Sequence, residues 1–242
     1  MSEPCQVCGD TGATPLVEQP PHCWVSCPSC QFAWLSPMPS MEEAEAVQDA
    51  ETGQSYIDGY LKKLDSKMRR SRKRMRALKR RMPGNRLLDI GSNIGCLVAA
   101  GAEQGLDATG VEINPVLAQE AQRRYPAGRF IVGAFETVTL PHAAFDGVYC
   151  SEVIEHVVDT NAFLEGVARV MVPGGAFYLT TPALREYAKG GDPGSWRDFG
   201  APDHKLYFSP GNIRQMLGKH GFGDVRSSFS LGRGLKLFAR RL

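Results

Sequence analysis

From Arg86 onward, short apolar runs alternate with stretches whose apolar positions recur at helical spacing. Leu87–Ile90, Ala108–Val111, Phe130–Val132, Gly147–Cys150 and Ala176–Thr180 read as strands. Gly95–Gln104, Pro115–Arg124 and Thr160–Met171 read as helices among them. This alternation predicts an α/β fold, a parallel, doubly wound sheet with helices on both faces. Ser209–His220 reads as a later helix, and Val225–Ser230 with Leu235–Ala239 as a closing antiparallel pair. Before Arg86 the texture differs. Residues 41–82 are rich in helix formers, divided at Gly53 and Gly59 into a short and a long helix and ended by Pro83-Gly84. Residues 1–40 hold several prolines and few long aliphatics, too little for a core without a crosslink or a metal. Three segments are expected: a small module over 1–40, a helical, basic linker or lid over 41–84, and the α/β domain over 85–242.

Composition adds two features. Hydrophobic residues make up 43% and charged residues 22% of the 242, which excludes a mainly disordered chain. The net charge of +2 hides a local excess: Lys62 to Arg81 holds twelve basic residues and one acid, Asp65. This basic helix has no aromatic residue, so it offers no stacking platform for single-stranded bases. It reads as a solvated face, with an anionic or nucleotide-linked small molecule and RNA as alternative partners. No apolar run is long enough to span a bilayer, and the start MSEPCQVCGD has no export-signal pattern, so a cytoplasmic protein is expected.

Five of the seven cysteines fall in the first thirty residues. Cys5-x2-Cys8 and Cys27-x2-Cys30 are separated by eighteen residues, a spacing that can place four thiolates around a structural Zn²⁺. Cys23 and His22 are nearby spare ligands. Cys96 reads as a buried small residue rather than a nucleophile, and so does Cys150.

The run LLDIGSNIG, Leu87–Gly95, is a strand entering a glycine-containing turn and then a helix. Such a turn lets a ligand approach backbone amides closely. Asp89 precedes the first glycine, and a carboxylate there disfavours a pyrophosphate and suits a ligand carrying an ammonium group. Glu112 ends the next strand in TGVEINP, 21 residues after Gly91, where a carboxylate can accept hydrogen bonds from both hydroxyls of a ribose. With FDGVYCSEVIEHV and VPGGAFYLTTP, these runs resemble the class I S-adenosylmethionine-dependent methyltransferases, in the small-molecule group that includes the ubiquinone-biosynthesis O-methyltransferases. The resemblance covers Arg86 to Leu242 and implies a Rossmann-like sheet and S-adenosylmethionine as cofactor. It implies that Asp89, Gly91 and Gly95 flank the methionine part, Glu112 the ribose and Ile113 the adenine. Asn93 stands where the family usually has glycine, and asparagine tolerates left-handed backbone. Ala134 stands where an aspartate often approaches the adenine, which leaves Ala134 and Phe135 to act through backbone and packing, with Glu136 as a substitute acid. Cys150 and Ser151 are expected to line the cofactor site by position. The run SCPSCQFAWLSPMPS resembles the zinc-ribbon head of some bacterial methyltransferases of sugar and secondary-metabolite pathways.

Methyl transfer to a hydroxyl calls for positioning and a general base near neutral pKa, which suits histidine. His204, in APDHKLYFSP beyond the fifth strand, is the first candidate, with Asp203 to orient it. The run resembles an acid-His-x-x-x-Phe-Ser pattern of bacterial sugar methyltransferases, where the histidine acts as base. His156 is the second candidate; helical spacing would put it on one face with Glu152. Tyr56, Tyr60, Trp196 and Tyr207 are candidates to line an acceptor pocket. The expected reaction is O-methylation of a sugar, glycan-related or secondary metabolite. C-methylation of a nucleotide-sugar, RNA methylation and a non-catalytic zinc-containing scaffold are the alternatives.

Overall fold

The computed structural model describes residues 3–44, 46, 53–184, 202–227 and 234–242. Strands β1 (Thr14–Gln19), β2 (His22–Ser26) and β3 (Ala33–Ser36) come first, followed by helices α1 (Gln54–Leu61) and α2 (Leu64–Lys79). Then follow β4 (Arg86–Ile90), α3 (Cys96–Ala102), β5 (Asp107–Glu112), α4 (Pro115–Arg124), β6 (Arg129–Val132) and β7 (Phe145–Ser151). After a 3₁₀ turn over Ile154–His156 come α5 (Thr160–Val170), β8 (Met171–Thr181), β9 (Leu206–Tyr207), α6 (Pro210–Lys219), β10 (Phe222–Ser227) and β11 (Leu235–Arg241).

A 7-stranded sheet has the order β10-β11-β8-β7-β4-β5-β6. Its β4 to β8 pairings are parallel, and β11 and β10 close it antiparallel. The doubly wound sheet expected from the pattern is therefore present. The chain order reverses at β4, between β5 and β7, so a crevice opens at the strands' carboxyl ends there. Period-2 alternation divides two cores. Leu87, Tyr149, Tyr178 and Phe238 face Met75 and Leu78 of α2, with Leu97 and Val98 of α3. Leu88, Val148, Phe177 and Leu237 face the opposite core, built with Phe163 and Val167 of α5 and Ile213 and Met216 of α6.

Helix starts follow their caps. Asn114 Oδ1 accepts from the amides of Val116 and Leu117, with Pro115 in the first turn. Asp159 caps α5, and Ser209 with Asn212 forms a capping box on α6. Gly59 does not divide the basic segment; it lies inside α1, and the break falls at Lys62 and Lys63. Packing of Ile57 with Ile94 and Leu117 holds that helix together across its glycine. The closing pair is observed from Phe222 and from Leu235; residues 228–230 of the expected strand lie outside the described residues.

The N-terminal strands form an antiparallel 4-stranded sheet in the order β1-β2-β3-β9. Its last strand comes from the far end of the α/β sequence, so the two parts share a sheet and a core. Trp24 and Tyr207 pack at 5.0 Å between ring centroids on one side. On the other, fully buried Phe32 meets Trp34 at 5.5 Å and Phe208 at 5.1 Å. Removing the Phe32 ring leaves a cavity at this junction. Phe32→Ala is expected to lower unfolding free energy by about 3–5 kcal/mol in urea denaturation.

Candidate functional site

A cavity of about 410 Å³ opens at the carboxyl ends of β4, β5 and β7. Gly91, Asn93, Glu112, Ile113, Ala134 and Phe135 line one part of it; His156, Asp203 and His204 line another. The turn after β4 is held by left-handed backbone, with φ of 73° at Gly91 and 51° at Asn93. Asn93 thus takes the conformation for which asparagine is tolerated. Gly91 has no room for a side chain, since a Cβ there falls 2.4 Å from Val153 Cγ2.

Glu112 joins the two turns. Its Oε2 accepts from the Asn93 amide at 2.6 Å and its Oε1 from the Asn114 amide at 3.0 Å. Burial pushes its pKa up, opposed by these backbone donors. Ile113 follows it on the wall, and Phe135 is fixed edge-on to Phe163 at 5.3 Å. Glu136 also lines the cavity. Asp89 is buried behind the turn rather than on the lining, and its Oδ1 has no hydrogen-bond partner. Burial and the neighbouring Glu112 charge raise its pKa well above the carboxylate range.

Three other expected residues stand off the lining. Gly95 opens α3 with φ of 80°, and its role is packing, because a Cβ there meets Phe130 Cζ at 2.6 Å. Cys150 is fully buried in the core beneath the sheet, the side to which strand alternation directs it. Ser151 Oγ lies 2.7 Å from Thr180 Oγ1 on β8. The cavity wall is formed instead by Glu152 and Val153, one and two residues further along. Glu152 has φ of 57° and only a 3₁₀ turn over Ile154–His156 follows it, so the expected α-helical face shared with His156 does not form.

The acceptor-side residues assemble differently from the sequence expectation. Asp203 was expected to orient its neighbour His204. Its Oδ1 instead lies 2.8 Å from His156 Nδ1, while its Oδ2 is 4.0 Å from His204 Nε2. Burial pulls the His156 pKa down, but the Asp203 hydrogen bond and the Glu155 charge leave it raised overall. His204 Nδ1 is 3.1 Å from Tyr207 Oη, and the two imidazoles pack edge to face at 4.8 Å. Glu155, fully buried beside them, has its pKa pushed up to about 8 by that burial. Glu155, next to His156, and the Tyr207 hydroxyl, three residues from His204, join the group although neither residue type signals a role by its spacing.

Tyr56 also lines the cavity; its Oη accepts from Asn93 Nδ2 at 2.7 Å. Met41 and Ala44, not singled out from sequence, join it on the wall. Tyr60 lies under Lys67 at 3.5 Å and Tyr207 is a core residue, so neither lines the cavity. Trp196, with the rest of residues 190–200, lies outside the described residues.

In the N-terminal module the thiols of Cys5, Cys8, Cys27 and Cys30 converge, all ligand atoms lying within 4.8 Å of one another. Cys5 Sγ is 3.6 Å from Cys30 Sγ, and Cys8 Sγ 3.5 Å from Cys27 Sγ. Those separations are far too long for a disulfide and close to the ~3.8 Å edge of a tetrahedron with ~2.3 Å metal–sulfur bonds. The cluster is compatible with a zinc ribbon; Cys23 and His22 stand outside it.

Among known proteins, the fold is that of the Rossmann-like methyltransferases. A family profile described as a methyltransferase domain matches residues 60–227, and the chain belongs to that family. The malonyl-[acyl-carrier protein] O-methyltransferase of Serratia marcescens is 31% identical over 128 residues, 53% of this chain and 49% of that protein. The ubiquinone biosynthesis O-methyltransferase of Idiomarina loihiensis is 29% identical over 168 residues, 64% of this chain and 68% of that protein. The chain thus spans about half the length of the Serratia relative and about two thirds of the Idiomarina one. The Burkholderia thailandensis 1,6-didemethyltoxoflavin-N1-methyltransferase, solved with its substrate and S-adenosylhomocysteine, has the same fold at a TM-score of 0.62 and 19% identity. That match covers 95% of this chain and 99% of that one. The magnesium protoporphyrin IX methyltransferase of Synechocystis, with bound S-adenosylhomocysteine, gives 0.61 and 16%, covering 82% and 100%.

The close contact at Gly91 is directly testable. Gly91→Ala is expected to destabilise by about 1–3 kcal/mol through left-handed strain and overlap with Val153. Adding Val153→Ala removes the overlap but not the strain, so about 1–2 kcal/mol of the Gly91 penalty should persist when measured in the Val153→Ala background.

Proposed function

We propose that this chain transfers a methyl group from S-adenosylmethionine to an oxygen of a small acceptor, a sugar or glycan-related metabolite. The observation that carries the reading is one cavity lined both by Glu112 with the β4 turn and by the His156–Asp203–His204 group. The donor set fits the cofactor. Asp89 keeps a buried oxygen without a partner, which suits a cationic amino group nearby. The Glu112 oxygens accept from the Asn93 and Asn114 amides, and a carboxylate has lone pairs beyond these for ribose hydroxyls. Ile113, Ala134 and Phe135 provide the apolar wall for an adenine, with the Asn93, Gly91 and Gly95 turn opening onto the methionine part. Cys150 and Ser151 support this site from behind. When bound, the cofactor supplies an electrophilic methyl group on a positively charged sulfur, so the chain supplies position and a proton acceptor.

His204 is that acceptor. With Nδ1 engaged by Tyr207, it takes the hydroxyl proton at Nε2. The oxygen's electron pair is then available to the methyl carbon, and the Asp203 carboxylate 4.0 Å away stabilises the imidazolium. His156, held by Asp203, positions this pair. The O-methyltransferase names of the Serratia and Idiomarina relatives support oxygen as the acceptor atom. The exposed cations of α2 suit an anionic or nucleotide-linked acceptor. Cys5, Cys8, Cys27 and Cys30 hold a structural Zn²⁺, so residues 1–40 act as a zinc module, 41–84 as a basic link and 85–242 as the catalytic domain.

Calorimetric titration with S-adenosylhomocysteine tests the cofactor reading. The wild type is expected to bind in the micromolar range, and Glu112→Ala and Asp89→Ala to lose at least tenfold, about 1.4 kcal/mol. Absence of binding by folded wild type overturns it. For the zinc, elemental analysis is expected to give one tightly held ion per chain, and Cys8→Ser to lose it with a lowered Tm.

A further inference from the structure

We propose that Arg70, Lys73 and Lys236, with Arg74 behind them, form a subsite for a phosphate group carried by the acceptor. Arg74 Nη1 donates to the Tyr149 hydroxyl at 2.7 Å, which turns the side of α2 carrying Arg70 and Arg74 toward the sheet. Arg81, just past α2, lies over the Phe238 ring of β11 at 4.1 Å, so that side of the helix runs along β11. Lys236 stands two residues before Phe238 and therefore on the same face of the sheet. Lys236 pairs with Thr180, and Thr180 pairs with Ser151. The three side chains thus form one row at the carboxyl ends of β7 and β8.

Below this row the sheet face is aromatic, with Tyr149, Tyr178 and Phe238 packed under α2. At the row it turns polar. Ser151 Oγ lies 2.7 Å from Thr180 Oγ1, which donates to Glu152 Oε1 at 2.7 Å. Glu152 lines the cavity, so the cations stand next to the carboxylate-lined space and outside it. Arg70 and Lys73 are exposed, and Lys236 is partly buried. Arg72, further round the helix, is engaged by Glu103 at 2.7 Å, whereas Arg70, Lys73 and Lys236 have no such ion pair among the described residues. Burial and the Arg74, Arg70 and Lys73 charges push the Lys236 pKa down, against the pull of Glu152. An anion between these cations turns their mutual repulsion into attraction. Several cations at one place suit a multiply charged phosphate better than a single carboxylate, and a guanidinium can grip two of its oxygens at once.

The proposal rests on the reading that a small acceptor is methylated in the cavity, and it gives that acceptor a chemistry: a phosphate ester or diphosphate. β11 lies two strand spacings from β7, about 10 Å, a span within reach of a sugar ring and its phosphate. The phosphate anchors the acceptor at Lys236 while a hydroxyl enters the cavity beside Glu152. Cationic cofactor and anionic acceptor thereby go to adjacent regions of opposite charge.

The test titrates the full chain with inorganic pyrophosphate at fixed ionic strength, with and without saturating S-adenosylhomocysteine, and follows binding by calorimetry. One equivalent is expected to bind in both states, and Lys236→Gln and Arg70→Gln each to weaken it by about fivefold or more. Arg76 lies two residues from Arg74, on the side of α2 turned away from β11. Arg76→Gln removes the same charge and is expected to change the affinity by less than about twofold. Arg70 is exposed, so its variant keeps the test valid should the Lys236 variant fail to fold. No pyrophosphate binding by wild type overturns the subsite. Equal weakening by Arg76→Gln also overturns it, since the helix then acts as a general polyanion surface. Binding abolished by S-adenosylhomocysteine overturns it too, because the cations then hold the cofactor's carboxylate. Pyrophosphate binding with this variant pattern but no S-adenosylhomocysteine binding sustains the anion subsite while the methyltransferase reading fails; the reverse result rejects only the subsite.

Discussion

Glu112 accepts one backbone amide with each carboxylate oxygen, Asn93 from the turn after β4 and Asn114 from the turn after β5. These two turns flank the crevice where the strand order reverses, and each leads into a helix. A single side chain therefore sets their separation. An apolar residue there leaves the Asn93 and Asn114 N–H groups short of an acceptor, at about 1–3 kcal/mol for a buried one. The tight geometry on either side depends on the same register. Gly91 packs against Val153, Asn93 adopts a left-handed conformation, and the Asn114 side chain caps α4. The bridge is local to the site, yet it fixes β4 and β5 against each other where ligand chemistry needs rigidity.

The N-terminal module is tied to the other end of the same cavity. The Leu35 amide donates to the Lys205 carbonyl at 3.0 Å, and the Lys205 amide donates to the Glu155 carbonyl at 2.8 Å. Asn212 Nδ2 donates to the Cys30 carbonyl at 3.2 Å, and Gln6 Oε1 accepts from the Thr160 amide at 2.8 Å. The segment carrying Asp203 and His204 is thereby clamped between the cysteine module and the 3₁₀ turn carrying Glu155 and His156. The order of the four-cysteine cluster is thereby linked to the placement of the two histidines.

The central parallel strands β4 and β7 were legible because they are buried on both faces and read as largely apolar runs. Pro115–Arg124 matched to the residue because Asn114 and Pro115 state a helix start in local chemistry. Glu112 was legible for the same reason, as an acid at a strand end. What escaped is non-local. β9 is two residues long and exists only through its pairing with β3. The alliance of Asp203 with His156 crosses 47 residues of sequence, whereas the obvious partner by adjacency, His204, is held by Tyr207. Cys150 packs in the core and Ser151 bonds Thr180 on β8, while Glu152 and Val153, just beyond the strand, reach the cavity.

Charge gives the cavity its character. Glu112, Glu136, Glu152 and Asp203 line it, with Asp89 and Glu155 buried behind, and no Lys or Arg is among its described lining residues. The buried Lys205 ammonium donates to the Asp203 carbonyl at 3.1 Å, and Arg74 donates to the Tyr149 hydroxyl at 2.7 Å. Burying several carboxylates around one space is unfavourable in isolation, because desolvation and mutual repulsion both act against ionisation. The upward pKa shifts at Asp89, Glu112 and Glu155 express that tension. A pyrophosphate in this space would add to the repulsion. A ligand carrying positive charge relieves it and gains the attraction of carboxylates that are already in place, at little reorganisation cost. The selectivity for a cationic cofactor over a dinucleotide then follows from the sign of the lining rather than from its shape, which both ligands could share on a doubly wound sheet.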